Sequence, residues 1–64
     1  MEAIFSIGSN LGNRVQNLQK ATELLAEEIG AITGQSSYFA TEPWGVEEQQ
    51  PQFLNAVVVC QTEQ

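Results

Sequence analysis

Phe53 and Asn55 place an aromatic ring and a carboxamide two residues apart, at the head of the apolar run Phe53 to Cys60. On an extended strand, that spacing puts both side chains on one face. A flat heterocycle can stack on such a ring while the carboxamide offers a donor and an acceptor to its edge. The same pair also describes a core phenylalanine beside an asparagine that satisfies a loop backbone. Thr41, at the end of an earlier strand-like run, can offer backbone hydrogen bonds to a ligand edge. Pro43-Trp44-Gly45 reads as a turn with an aromatic at its tip, either a cover for a ligand or an anchor for its own loop.

A second region of interest is Gly8-Ser9-Asn10-Leu11-Gly12-Asn13-Arg14, directly after Ala3-Ile4-Phe5-Ser6-Ile7. A strand stopping at a glycine, turning through small polar residues and entering a helix makes a loop able to shape a pocket. An ordinary strand-to-helix turn needs the same residues. The run lacks the Lys-Ser/Thr ending of a P-loop and the spacing of a dinucleotide fingerprint, so it is not a self-sufficient phosphate cradle. Glu42, Glu47 and Glu48 have no cation-loop spacing and read as a solvated acidic loop. Cys60 has no cation or histidine near it in sequence and reads as a small core hydrophobe.

The elements that must position these residues emerge from periodicity. Residues 3–8 read as a strand ended by Gly8. Residues 9–13 are a loop, and Asn13 with Gln16 resembles a capping box. Val15, Leu18, Thr22, Leu25 and Ile29 recur at helical spacing, widened by Ala21 and Leu24, and predict a helix over 14–29 with Gly30 as its C′ residue. Residues 31–41 read as one strand, weak at Gly34, with Tyr38 and Phe39 facing opposite ways. Residues 42–52 form a long loop. Residues 53–62 form a final strand whose two faces are both apolar, which predicts a central position and burial on both sides. The order β-α-β-β matches the first part of a ferredoxin-like pattern, an α+β class with an antiparallel sheet and one long helix. One helix covers one face only, so the unit is incomplete alone and dimerisation is one way to complete it.

Composition narrows the partners. The 64 residues make one domain with net charge −6 and two cations, Arg14 and Lys20. That balance argues against nucleic acid, an anionic membrane surface or a triphosphate held unaided. The absence of histidine excludes histidine acid–base chemistry and histidine metal sites within these residues. One cysteine and no basic, apolar leader predict the cytoplasm.

Ile7-Gly8-Ser9-Asn10-Leu11-Gly12-Asn13-Arg14, Asn17-Leu18, Ser37-Tyr38-Phe39-Ala40-Thr41-Glu42-Pro43-Trp44-Gly45 and Gln50-Pro51-Gln52-Phe53-Leu54-Asn55-Ala56-Val57 together resemble the 6-hydroxymethyl-7,8-dihydropterin pyrophosphokinase family of folate biosynthesis. The likeness spans essentially the whole chain, 1–64, in these separate blocks taken in order. It implies diphosphate transfer from ATP to the pterin hydroxymethyl group with Mg2+. It implies a pterin site in which Thr41 and Trp44 present backbone groups, Asn55 binds the polar edge and Phe53 stacks. It implies too that residues 8–13, with Gly8, Ser9, Asn10 and Leu11, and residues 42–52, with Gly45, are the first two of the family's mobile catalytic loops. The family's metal-binding Asp-x-Asp pair and phosphate-binding arginines have no counterpart here, since the chain has no aspartate. No catalytic or metal-ligating residue is therefore expected in this chain. The resemblance implies the pterin-facing, N-terminal part of a longer enzyme, inactive alone and partnered by the remaining part. The alternative is a non-catalytic module of that origin that binds pterin or pairs as a homodimer.

Overall fold

The computed structural model describes residues 1–42 and 51–63. Strand β1 (Glu2–Ser9) leads to helix α1 (Arg14–Glu28), then β2 (Ala31–Gln35), β3 (Phe39–Thr41) and β4 (Phe53–Gln61). Strand β4 lies in the middle, antiparallel to β1 on one side and to β2 and β3 on the other. Strands β1 and β2 therefore run parallel to each other with β4 between them. This is the split β-α-β arrangement of a partial ferredoxin-like α+β fold.

Alternation sets the layers. Ala3, Phe5, Ile7 and Ser9 are half-buried while Glu2, Ile4, Ser6 and Gly8 are exposed. On β4, Ala56, Val58 and Cys60 are fully buried on the face that α1 covers, together with Leu18 of the helix. Sealing Leu18 away from water contributes roughly 2 kcal/mol. The opposite face of β4 holds Phe53, Asn55, Val57 and Val59, all half-buried, with Ile4 of β1 beside them at 73% exposure. The expectation of burial on both sides of this strand is thus corrected: among the described residues only one face is covered. An apolar pattern reflects what a face can bury, not whether a layer is present to bury it.

Val15 and Ile29, at the two ends of the helical pattern, are exposed against expectation, and so is Leu24. At 3.6 residues per turn it sits about 120° around the axis from Leu18, beyond the seam. The start of α1 matches its expected cap: Asn13 accepts from the Gln16 backbone N–H at 3.1 Å. The end differs in mechanism. Gly30 donates to Leu25 O at 3.1 Å, but among the described residues only Gly12 has a positive φ. Gly30 is required by crowding, because a Cβ there would overlap the Gln61 carbonyl oxygen.

The single strand expected over 31–41 is two strands. Pairing with β4 slips by one residue between Ile32 and Gly34, and again between Gln35↔Val58 and Phe39↔Asn55. At the second slip Ser36 holds the edge: its N–H donates to Val57 O at 2.9 Å, and its hydroxyl accepts from Val57 N–H at 2.8 Å. A serine hydroxyl thus stands in for a ladder carbonyl, making a bulge that re-aims Phe39 and the residues after it. Strand β1 also runs through Gly8 to Ser9 rather than stopping at the glycine.

Gly30→Ala should lower the thermal midpoint markedly, because backbone must move. Gly34→Ala, whose Cβ would meet Val59 at an ordinary 3.6 Å, should be tolerated. Thermal melts of the two variants followed by circular dichroism check the contrast; equal midpoints would contradict the crowding at Gly30.

Candidate functional site

The register gathers five residues at one end of the open face. Gly8 of β1 lies opposite Asn55 of β4, which lies opposite Phe39 of β3. One row on, Phe53 pairs with Thr41. Antiparallel partners share a face, so ring and carboxamide stand side by side as their spacing requires. Both are half-buried.

Asn55 is not loose. Its Nδ2 donates to Thr41 Oγ1 at 2.8 Å and to Phe39 O at 3.3 Å. A backbone carbonyl can only accept, so the nitrogen must face Phe39 and Oδ1 must face the other way. Oδ1 lies over Gly8, where a Cβ would stand 2.6 Å from it. Glycine is the residue that leaves room for the carboxamide to lie flat across β1. Both Asn55 N–H groups are committed within the chain, and Oδ1 is its open acceptor among the described residues. Of the donor and acceptor expected of Asn55, the donor is spent within the chain and the acceptor stays open; the Thr41 hydroxyl, which accepts from Asn55, keeps a proton to donate. The alternative anticipated for Asn55, satisfying a loop backbone, is corrected: the backbone carbonyl it meets, Phe39 O, belongs to strand β3.

The turn after β1 is built by side chains. Asn17 Nδ2 donates to Ser9 Oγ at 2.9 Å and to Leu11 O at 3.0 Å, and Ser9 Oγ donates to Leu11 O at 3.3 Å. Gly12 turns the chain with φ of 70°, a conformation that strains a residue bearing a Cβ. Ser9 and Asn10 are half-buried and Leu11 is exposed. This loop adjoins Gly8 and hence the Asn55 end of the face.

Just past the last ladder pair, Gln52 Nε2 donates to Glu42 Oε1 at 2.6 Å, and Arg14 Nη1 donates to Gln52 O at 2.7 Å. Trp44 and Gly45, with Glu47 and Glu48, lie outside the described residues. Cys60 is buried and free, as its apolar setting predicts. On the helix side an open groove of about 450 Å³ is lined by Gln19, Thr22, Glu23, Gln35 and Tyr38. None of these is singled out by the sequence for chemistry.

Sequence reasoning misses Phe39 as a neighbour of Asn55, since only the double register slip brings them opposite. It also misses the contact of Arg14, whose acceptor is a backbone carbonyl and so leaves no mark in residue type. Gly8→Ala should dislodge the Asn55 carboxamide. Its two side-chain amide protons, distinct in NMR because they meet different acceptors, should move toward free-carboxamide positions. An unchanged Asn55 signal would show that the glycine is not its seat.

The chain matches the family model described as 7,8-dihydro-6-hydroxymethylpterin-pyrophosphokinase (HPPK) over residues 4–64. It is similar to a 2-amino-4-hydroxy-6-hydroxymethyldihydropteridine pyrophosphokinase of Porphyromonas gingivalis, with 47% identity over 58 residues, covering 91% of this chain and 39% of the relative. A protein of the same name from Mycobacterium leprae is 47% identical over 55 residues, covering 86% of this chain and 27% of the relative. A folate synthesis bifunctional protein of Arabidopsis thaliana is 39% identical over 57 residues, 89% of this chain and 12% of that protein. The chain thus spans about two fifths or less of the length of these relatives.

Proposed function

Because the chain belongs to the 7,8-dihydro-6-hydroxymethylpterin-pyrophosphokinase family, we propose that its open sheet face is the pterin-binding side of a diphosphate-transfer site in folate synthesis. The reaction proposed is transfer of diphosphate from ATP to 6-hydroxymethyl-7,8-dihydropterin. The observation that carries the reading is the Asn55 carboxamide, fixed on the same face as the Phe53 ring. A pterin ring stacks on Phe53, its N–H edge donates to Asn55 Oδ1, and the Thr41 hydroxyl meets an acceptor on the same rim. Backbone groups of Thr41 and Trp44 complete the edge, and the loop from Gly8 to Leu11, with Gly45, borders the ligand. In this reading the protein works in the cytoplasm. Among the described residues no helix is long and apolar enough to cross a membrane.

ATP and Mg2+ are the co-substrate and metal that this reaction calls for. The described residues do not fit the metal, because no three His, Cys, Asp or Glu side chains come together among them. Nor do they fit the phosphates: Arg14 and Lys20 are the chain's two cations, and Arg14 already serves a backbone carbonyl. Diphosphoryl transfer rests on charge neutralisation and positioning, so no chemical step is assigned to these residues. The chain alone contributes recognition.

Calorimetry with 6-hydroxymethylpterin should show binding that Asn55→Ala weakens by about 1–3 kcal/mol. The same preparation mixed with ATP and Mg2+ should transfer no diphosphate. Unaltered affinity in the variant would remove Asn55 from the site, and turnover by this chain would overturn its recognition-only role.

A second reading, self-association, is favoured by the other end of the open face, where Ile4 is 73% exposed beside Val57 and Val59. Two copies could cover these residues against each other. Sedimentation at micromolar concentration should then give a dimer that Ile4→Glu dissociates; a folded monomer would dismiss this reading.

A further inference from the structure

The contact of Arg14 with Gln52 has no counterpart in the recognition chemistry above, yet it joins the two segments that border the open face. Arg14 is the first residue of α1, directly after the turn held by Asn17, and it is half-buried. Its guanidinium donates at 2.7 Å to the carbonyl of Gln52, the peptide unit that leads into Phe53. Gln52 and Glu42 stand opposite each other one step past the last ladder pair, Thr41↔Phe53. Their side chains close that step at 2.6 Å. The ladder is thereby extended through side chains, and its end is fastened to the helix by a charged donor. Charge-assisted bonds of this kind are shorter and stronger than neutral ones.

We propose that Arg14 is a positioning residue: with Gln52 and Glu42 it forms a clasp that holds the entry of β4, and with it Phe53 and Asn55, in the arrangement that receives a planar ligand. The ligand part of this statement rests on the pterin reading above; the clasp itself does not. The device suits a short β3, all three residues of which are exposed and which no helix among the described residues covers. Without the clasp, the Phe39–Thr41 ladder is the only partner of the β4 entry on that side among the described residues. A site on so slight an edge needs added rigidity, because a misplaced ring or amide loses binding through ordering cost alone.

The test uses the 64-residue chain with Arg14→Met, which keeps bulk without a donor, and Arg14→Lys, which keeps a charged donor. Amide exchange by NMR at Leu54 and Asn55, the first β4 residues paired on both sides, should accelerate about tenfold in Arg14→Met. Exchange at Val58 and Cys60, in the core, should stay as it is, and Arg14→Lys should restore much of the protection. Glu42→Ala, at an exposed site, should raise exchange at the same two residues to a lesser degree and serves if Arg14→Met does not fold. Affinity for 6-hydroxymethylpterin should fall about tenfold in Arg14→Met although no ligand-facing group has changed. Exchange unaltered at Leu54 and Asn55, or raised equally at Val58 and Cys60, would overturn the clasp. Absence of pterin binding by the unmutated chain is a separate result, which removes the ligand and leaves the exchange pattern to decide the clasp.

Discussion

Side-chain alternation along β4, with a hydrogen-bonded neighbour on each side, is the constraint on which the rest of the molecule depends. Ala56, Val58 and Cys60 must point one way, and there they meet Leu18 and form the core. Phe53, Asn55, Val57 and Val59 must then point the other way, onto a face that α1 does not reach. Core and open face are two sides of one ribbon. A one-residue slip of β4 would exchange them, burying the Asn55 carboxamide and exposing the core valine. The long regular pairing Glu2↔Gln61 through Ser9↔Leu54 prevents that slip.

The opposite edge works differently. It is interrupted twice, and the interruptions have a use. Each bulge advances the chain by one residue against β4, so Phe39 and Thr41 arrive beside Asn55. Had the strand run straight from Ala31↔Gln61, Ser37 rather than Phe39 would have stood opposite Asn55, and the Thr41 hydroxyl would have lain too far along to meet Asn55 Nδ2. Ser36 makes the detour tolerable by supplying both halves of a ladder step from one residue. The partners of the carboxamide on this edge are therefore set by a serine far before it in sequence, through register, while Gly8 leaves it room on the other.

Much of this is legible in the residues, and the parts that are not share a cause. The strands around Phe5 and Val58, the helix with its Asn13 cap and the common face of Phe53 and Asn55 all come out of short-range periodicity. The division at Ser36 does not, because a bulge depends on what the partner strand needs, and Ser-Ser-Tyr has no local preference that betrays it. Gly30 reads as a helix stop, which it is, but its reason lies in the carbonyl of Gln61 at the far end of the chain. Arg14 reads as a scarce cation, and nothing about Gln52 announces that its carbonyl is the acceptor. Trp44 and Gly45, prominent in the sequence, fall outside the described residues. Local chemistry is readable and long-range backbone contacts are not.

The placement of β4 between strands that precede it has a temporal side. Strands β1, β2 and β3 each pair with β4, and among the described residues none pairs with another. During vectorial synthesis, helix α1 can form from local bonds alone, but this sheet cannot exist until β4 has left the ribosome. Contacts that close such long stretches of chain form slowly. Until then the apolar residues of β1, β2 and β3 have no ladder partner among the described residues and stay open to contact with other chains.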